Sequence, residues 1–148
     1  MTAPRGPRVL LDTCVLVATT DAARRDSKAC TAFIEGQTDL CVSSQVLREY
    51  AVVATRPTTV NGLGLSLQQT MDNIEAIRGL VALLPEDRSL HAVLMDLLRA
   101  HPVTGKRIHD ANLVATALAH GLPKIATLNP RDFEAFDDAV SLVDPTRG

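Results

Sequence analysis

The sequence predicts an α/β fold, a three-layer sandwich around a mainly parallel sheet of four to five strands. Three observations predict it. Short apolar runs of strand length alternate with longer segments whose apolar residues recur at helical spacing. Capping residues stand at the helix starts, and Gly or Pro marks most of the joins. The length of 148 residues suits one domain that buries its own core, taken here as 1–148 with residues 1–7 as a flexible tail.

Arg8 to Leu11 is the first strand, an apolar run ending at Asp12. Ser27 to Glu35 is a short helix with Asp26 or Ser27 as cap and Gly36 as stop. Leu40 to Ser43 is the second strand. Ser43 or Ser44 then caps a helix on which Val46, Leu47, Tyr50, Val53 and Ala54 recur until Pro57 ends it. After a loop holding Gly62 and Gly64, a helix from about Leu67 to Ile77 carries Leu67, Met71, Ile74 and Ile77 on one side. Leu80 to Leu84 is the third strand. Pro85 and Asp87 open a helix that closes near His101, and its stripe of Leu90, Val93, Leu94, Leu97 and Leu98 is core or dimer surface. The next helix falls within IHDANLVATALAHGL (108–122) and is stopped by Gly121 and Pro123. Lys124 to Leu128 is the fourth strand, NPRDF a polar turn, and Val140 to Val143 a fifth, edge strand.

Composition excludes several classes of function. With 46% hydrophobic residues and interspersed charges the chain is globular. Three Phe, one Tyr and no Trp argue against a base-stacking platform. A net charge of −2 supplies no global attraction to polyanions, so nucleic-acid binding would rest on local cations or on metal ions. Cys14, Cys30 and Cys41 are odd in number and form no C-x-x-C pair, which fits a reduced, cytoplasmic setting. The apolar start resembles a signal peptide only superficially, because Asp12 interrupts it, and no run reaches the roughly 18 apolar residues of a membrane span.

The acids point to chemistry. In an open parallel sheet, ligands bind beyond the carboxyl ends of the strands. Asp12 ends the first strand, and the fourth ends in Thr127 and Asn129 with Asp132 three residues on. Glu49 lies at the margin of its helix's apolar face, and Asp110 heads the buried stripe of Leu113, Val114, Ala117 and Leu118. A carboxylate against a core must cap, pair or bind something. Acids drawn together raise each other's pKa unless a cation neutralises them, and oxygen-only ligands suit Mg²⁺ or Mn²⁺. Such an ion at an open sheet edge supports phosphodiester hydrolysis. Each acid also has a plainer reading: Asp12 as a turn residue, Asp110 as an N-cap before Ala111, and Glu49 as a solvated partner of Arg48 or Arg56. Lys106, Arg107 and Arg131 are phosphate contacts or ordinary surface charges, and His109 is a polar residue at a helix start.

Four segments, VLLDTCVLVA, SSQVLREYAVVATRP, KRIHDANLVATALAHGL and IATLNPRDF, resemble in order the motif regions of PIN-domain ribonucleases, in particular the VapC-type toxins of bacterial toxin-antitoxin pairs. The resemblance implies a metal-dependent endoribonuclease, with Asp12, Glu49 and Asp110 as the catalytic, metal-binding acids and Mg²⁺ or Mn²⁺ as cofactor. It implies that Thr13 and Thr127 orient those acids. Where the family usually has a further acid this chain has Asn129; either Asp132 substitutes for it or Asn129 holds the water or a supporting contact, which leaves one or two metal ions open. A homodimer and a cognate antitoxin are also implied.

Two other readings compete. A phosphatase would use Asp12 as nucleophile, but Asp12-Thr13-Cys14 lacks the second acid two residues on that would donate the proton. A non-catalytic PIN module that binds RNA or a partner protein is kept open by Asn129.

Overall fold

A computed structural model describes residues 6–147; of the expected tail, residues 1–5 lie outside the described residues. Five strands, β1 (Val9–Leu11), β2 (Leu40–Ser43), β3 (Ala82–Leu84), β4 (Lys124–Ala126) and β5 (Ser141–Val143), form one sheet in the order β3-β2-β1-β4-β5. All four pairings are parallel, so the mainly parallel expectation becomes a fully parallel sheet among the described residues. The helices are α1 (Thr13–Thr20), α2 (Ser27–Gly36), α3 (Ser44–Thr55), α4 (Leu67–Arg78), α5 (Arg88–Ala100) and α6 (Arg107–Ala119). No helix among the described residues is long and apolar enough to cross a membrane.

The strand order explains the layers. From β1 the chain steps outward through β2 to β3, then returns past β1 to β4 and β5. Because parallel crossovers are right-handed, the reversal moves the connecting helices to the other face of the sheet. The packing agrees: α1 lies against α2 and α3, α3 against α4, and α5 against α6. Leu10, Leu11, Leu16, Val42, Val114 and Ile125 are fully buried members of one connected core. Fully burying a side chain of this size contributes roughly 1.5–3 kcal/mol.

Helix α1 is the element the residue pattern does not announce. Thr13 to Thr20 is rich in β-branched residues, and Thr13, Val15, Leu16, Val17 and Ala18 are all buried. A helix packed on most of its sides shows no apolar stripe, so its sequence carries no period. The expected boundaries shift elsewhere for local reasons. Leu80 and Val81 belong to the turn closing α4, their N–H groups donating to the Ile77 carbonyl at 2.9 and 3.0 Å, so β3 starts later. Gly36 is the last residue of α2 rather than its stop. Gly121 does end α6, at φ 66°, with the Leu122 N–H donating to the Ala117 carbonyl at 2.8 Å. The NPRDF turn winds into 3₁₀ turns over Pro130–Phe136.

The consequence for function is positional. Strands β1 and β4 are neighbours whose connections run in opposite directions, so a crevice opens above their carboxyl ends. Asp12 follows β1 there and Thr127 follows β4.

Candidate functional site

Asp12 caps α1 in extended backbone, with one carboxylate oxygen accepting from the Thr13 N–H at 2.8 Å. Its other oxygen accepts from Thr127 Oγ1 at 2.8 Å and from the Cys14 thiol at 3.5 Å. Thr127 is itself buried, and its hydroxyl oxygen accepts from the Asn129 N–H at 3.0 Å. Asp12 is thus fixed from both strands. Burial raises its pKa, donors from Thr127, Thr13 and Cys14 pull it back, and the Glu49 charge raises it again. The thiol of Cys14 is pushed up to about 12 by burial and by Asp12, so it stays a neutral donor.

Glu49 rises from the middle of α3, which Ser43 caps through a 3.3 Å bond from the Val46 N–H. It is half-buried and pairs with neither Arg48 nor Arg56 in the ion pairs of the described residues. One oxygen accepts from Thr13 Oγ1 at 3.1 Å, the other from Gln45 Nε2 at 2.7 Å. Gln45, buried, also donates to the His109 carbonyl at 2.9 Å and accepts from Asn112 Nδ2 at 2.6 Å. Helices on opposite faces of the sheet are therefore tied together across its edge by side-chain amides.

Asp110 is not the cap of α6. That helix starts at Arg107, and Asp110 lies in its first turn, half-buried. Its carboxyl is raised from 3.8 to about 7 by burial first, then by the charges of Asp132, Asp12 and Glu49, with Arg107 opposing. The capping alternative fails because the chain turns helical at Arg107, ahead of Asp110.

A hollow of about 320 Å³ gathers these groups, lined by Asp12, Thr13, Glu49, Asp110, Asn129 and Asp132 among others. An adjoining hollow of about 630 Å³ shares Thr13, Glu49, Asp110 and Asp132 and adds Arg56, Lys106, Arg107 and His109. Arg131 is exposed and lines neither, although its carbonyl and that of Asp132 accept weakly from Arg107 at 3.4 and 3.3 Å.

Gln45, Asn112, Cys14 and Arg56 are the participants that residue patterns missed. Gln45 precedes Glu49 by one helical turn, and that spacing was the available signal. Asn112 had none, since its contact crosses 67 positions of sequence.

The donor set is one of hard oxygens around a shared hollow, which fits a divalent cation such as Mg²⁺ or Mn²⁺ in chemistry and charge. Among the described residues no three His, Cys, Asp or Glu side chains stand as a ready ligand cluster. The carboxylates line one space, and protein donors orient two of them, Asp12 and Glu49.

Comparison with known proteins follows the same line. The PIN domain family matches residues 9–139. No curated protein matches the chain significantly. Among solved structures, the VapC20 toxin of Mycobacterium tuberculosis, described as cleaving the sarcin-ricin loop, superposes with a TM-score of 0.67 at 15% identity, covering 86% of this chain and 95% of that one. DNA-bound VapBC from Salmonella typhimurium gives 0.67 at 20% identity, covering 94% and 98%. FitAcB from Neisseria gonorrhoeae gives 0.63 at 21% identity, covering 95% and 99%. At these identities the likeness is one of fold, whereas the family match spans most of the sequence: the chain belongs to the PIN domain family.

Proposed function

We propose that the protein is a metal-dependent endoribonuclease, acting as the toxin of a toxin-antitoxin pair. The observation that carries this reading is the gathering of Asp12, Glu49, Asp110 and Asp132 around one hollow above the β1–β4 edge. Asp12, Glu49 and Asp110 would hold Mg²⁺ or Mn²⁺, with Asp132 or Asn129 at the rim. When bound, such an ion lowers the pKa of a water and offsets charge on the phosphate. In the reaction a water oxygen forms a new bond to phosphorus and gives up a proton, the bond to the departing sugar oxygen breaks, and that oxygen gains a proton in turn. The chain's own task is orientation. Thr127 and the Thr13 N–H fix Asp12, Gln45 and the Thr13 hydroxyl fix Glu49, and Lys106 and Arg107 stand where phosphates on the same strand would lie.

The partners are part of the same proposal, supported by solved relatives that are toxin-antitoxin complexes. A cognate antitoxin that covers the crevice, and pairing of two copies of the chain, are the assemblies we propose. The three cysteines are free, consistent with a reducing cytoplasm. A second reading, a PIN module that binds RNA without cutting it, is favoured by the exposed amide of Asn129 at the rim where the resemblance leads one to expect an acid. A phosphatase is disfavoured, because Cys14 stands where its proton-donating acid would be.

Incubating the purified protein with a structured RNA and Mn²⁺, with and without chelator and beside Asp12→Asn, tests the proposal. Cleavage should need the metal and fall at least about a hundredfold in the variant. Thermal stabilisation by Mn²⁺ without cleavage would select the binding module instead.

A further inference from the structure

We propose that the acid hollow is the middle of a longer trough that seats an RNA strand on both sides of the scissile bond, with Arg56, Lys106 and Arg107 holding one arm and Arg24 and Arg25 the other. This rests on the ribonuclease reading and adds to it the path of the substrate.

Three hollows share walls. The acid hollow runs on one flank into the space of about 630 Å³ between α3 and the start of α6, through Thr13, Glu49, Val53, Asp110 and Asp132. On the other flank it runs into a space of about 570 Å³ between α1, the α1–α2 connection and the end of β4, through Cys14, Arg24 and Asn129. Asp12 lines the acid hollow and neither flanking space, and the two flanking spaces share no lining residue. The arms therefore leave the acids on different flanks, as a chain passing over the centre requires.

The charges are arranged for a polyanion. With a net charge of −2 the protein has no general pull on nucleic acid, so cations beside the acids matter. Arg56, Lys106 and Arg107 take part in none of the ion pairs among the described residues. Arg24 pairs with Asp21 at 3.3 Å and Arg25 with Asp26 at 3.8 Å, both at the surface. Such pairs contribute little, and a phosphate can take over their cations. Neither arm offers a Phe, Tyr or Trp ring; the first has only the His109 imidazole and exposes Val52, 55% accessible, as an apolar floor for a sugar or base. The grip is therefore on the backbone, with weak preference for sequence.

The test uses RNA oligonucleotides cut by the wild type at one mapped bond in Mn²⁺, then shortened stepwise from either end. The paired variants R24A/R25A and R56A/K106A remove exposed or rim side chains and leave the acids in place. Each pair should raise KM about tenfold with kcat within about threefold, and lower the salt dependence of kcat/KM by about one to two charges. Each pair should also abolish the benefit of added nucleotides on one side only, the two pairs on opposite sides. Cleavage by the wild type with length dependence unaltered in either pair overturns the trough and leaves the ribonuclease reading standing. Absence of any cleavage removes that reading. The trough is then judged by fluorescence anisotropy with the same oligonucleotides: weaker binding in both pairs supports it, and unchanged binding in either overturns it.

Discussion

The side-chain amide of Gln45 donates to the Glu49 carboxylate at 2.7 Å from one turn earlier on α3. The same amide reaches the His109 carbonyl and Asn112, so the aim of Glu49 and the placing of the α6 start are set together. A buried group with three partners has one orientation, and Glu49 inherits it.

Gln45→Leu should therefore act on the site more than on the fold. The Asn112 amide and the His109 carbonyl lose their partner, a loss of about 1–3 kcal/mol. Groups that orient ligands typically change metal affinity or activity by about 10–100-fold. Urea unfolding gives the first quantity, and a Mn²⁺ titration followed by melting temperature gives the second. An unchanged Mn²⁺ midpoint in a folded variant would show that Glu49 needs no such support.

How much of this was legible in the sequence depends on whether a feature is local. Caps at Ser43 and Asp87 and the stripes of α3 and α4 are local, so those helices were readable. The residues after Asp12 told less, since α1 is buried too completely to show a period. The acids could be placed at one sheet edge because parallel strands put their ends together. Spacing alone could not tell which donors hold them, as Thr127 meets Asp12 across 115 positions and Asn112 meets Gln45 across 67; the resemblance pointed to Thr13 and Thr127, and nothing pointed to Gln45 or Asn112. The helix start at Arg107 was hidden for another reason: Lys106 caps without a side-chain bond, so no capping residue marks it.

Acidity gives a second prediction. Asp110 is raised from 3.8 to about 7, so between those values the folded protein holds a proton that the unfolded chain has released. Its favourable contribution is complete below about pH 4 and is lost as pH rises through about 7. Asp12, raised too, adds in the same direction. Without added metal, the melting temperature should fall from about pH 5 to about pH 8 more steeply in the wild type than in Asp110→Asn. Mn²⁺ should restore more stability at the higher pH, where the carboxylates are charged. Parallel wild-type and variant profiles would rule out the strained carboxyl.

Thr127→Val tests the other end of the Asp12 clamp. The valine keeps the volume and removes the hydroxyl that donates to Asp12 at 2.8 Å and accepts from the Asn129 N–H at 3.0 Å. Since Thr127 is 2% exposed, water cannot replace those bonds, and a loss of about 1–2 kcal/mol is expected in urea unfolding. RNA cleavage should fall as Asp12 gains freedom. Full stability together with full activity would mean that Thr13 and Cys14 suffice.

Asn129 offers the sharpest single substitution. It lines the acid hollow, is exposed, and has its backbone pinned to Thr127, so Asn129→Asp adds a carboxylate without moving the chain. With no metal the new charge joins Asp12, Glu49, Asp110 and Asp132, and repulsion should lower the melting temperature at about pH 8. With Mn²⁺ the extra ligand should reverse the order, making the variant the more stabilised protein and tightening the metal midpoint about tenfold. Cleavage should hold or rise if the asparagine merely occupies an acid's position. A metal-free loss with no gain on adding Mn²⁺ would place residue 129 outside ligating reach and leave Asp132 as the fourth acid.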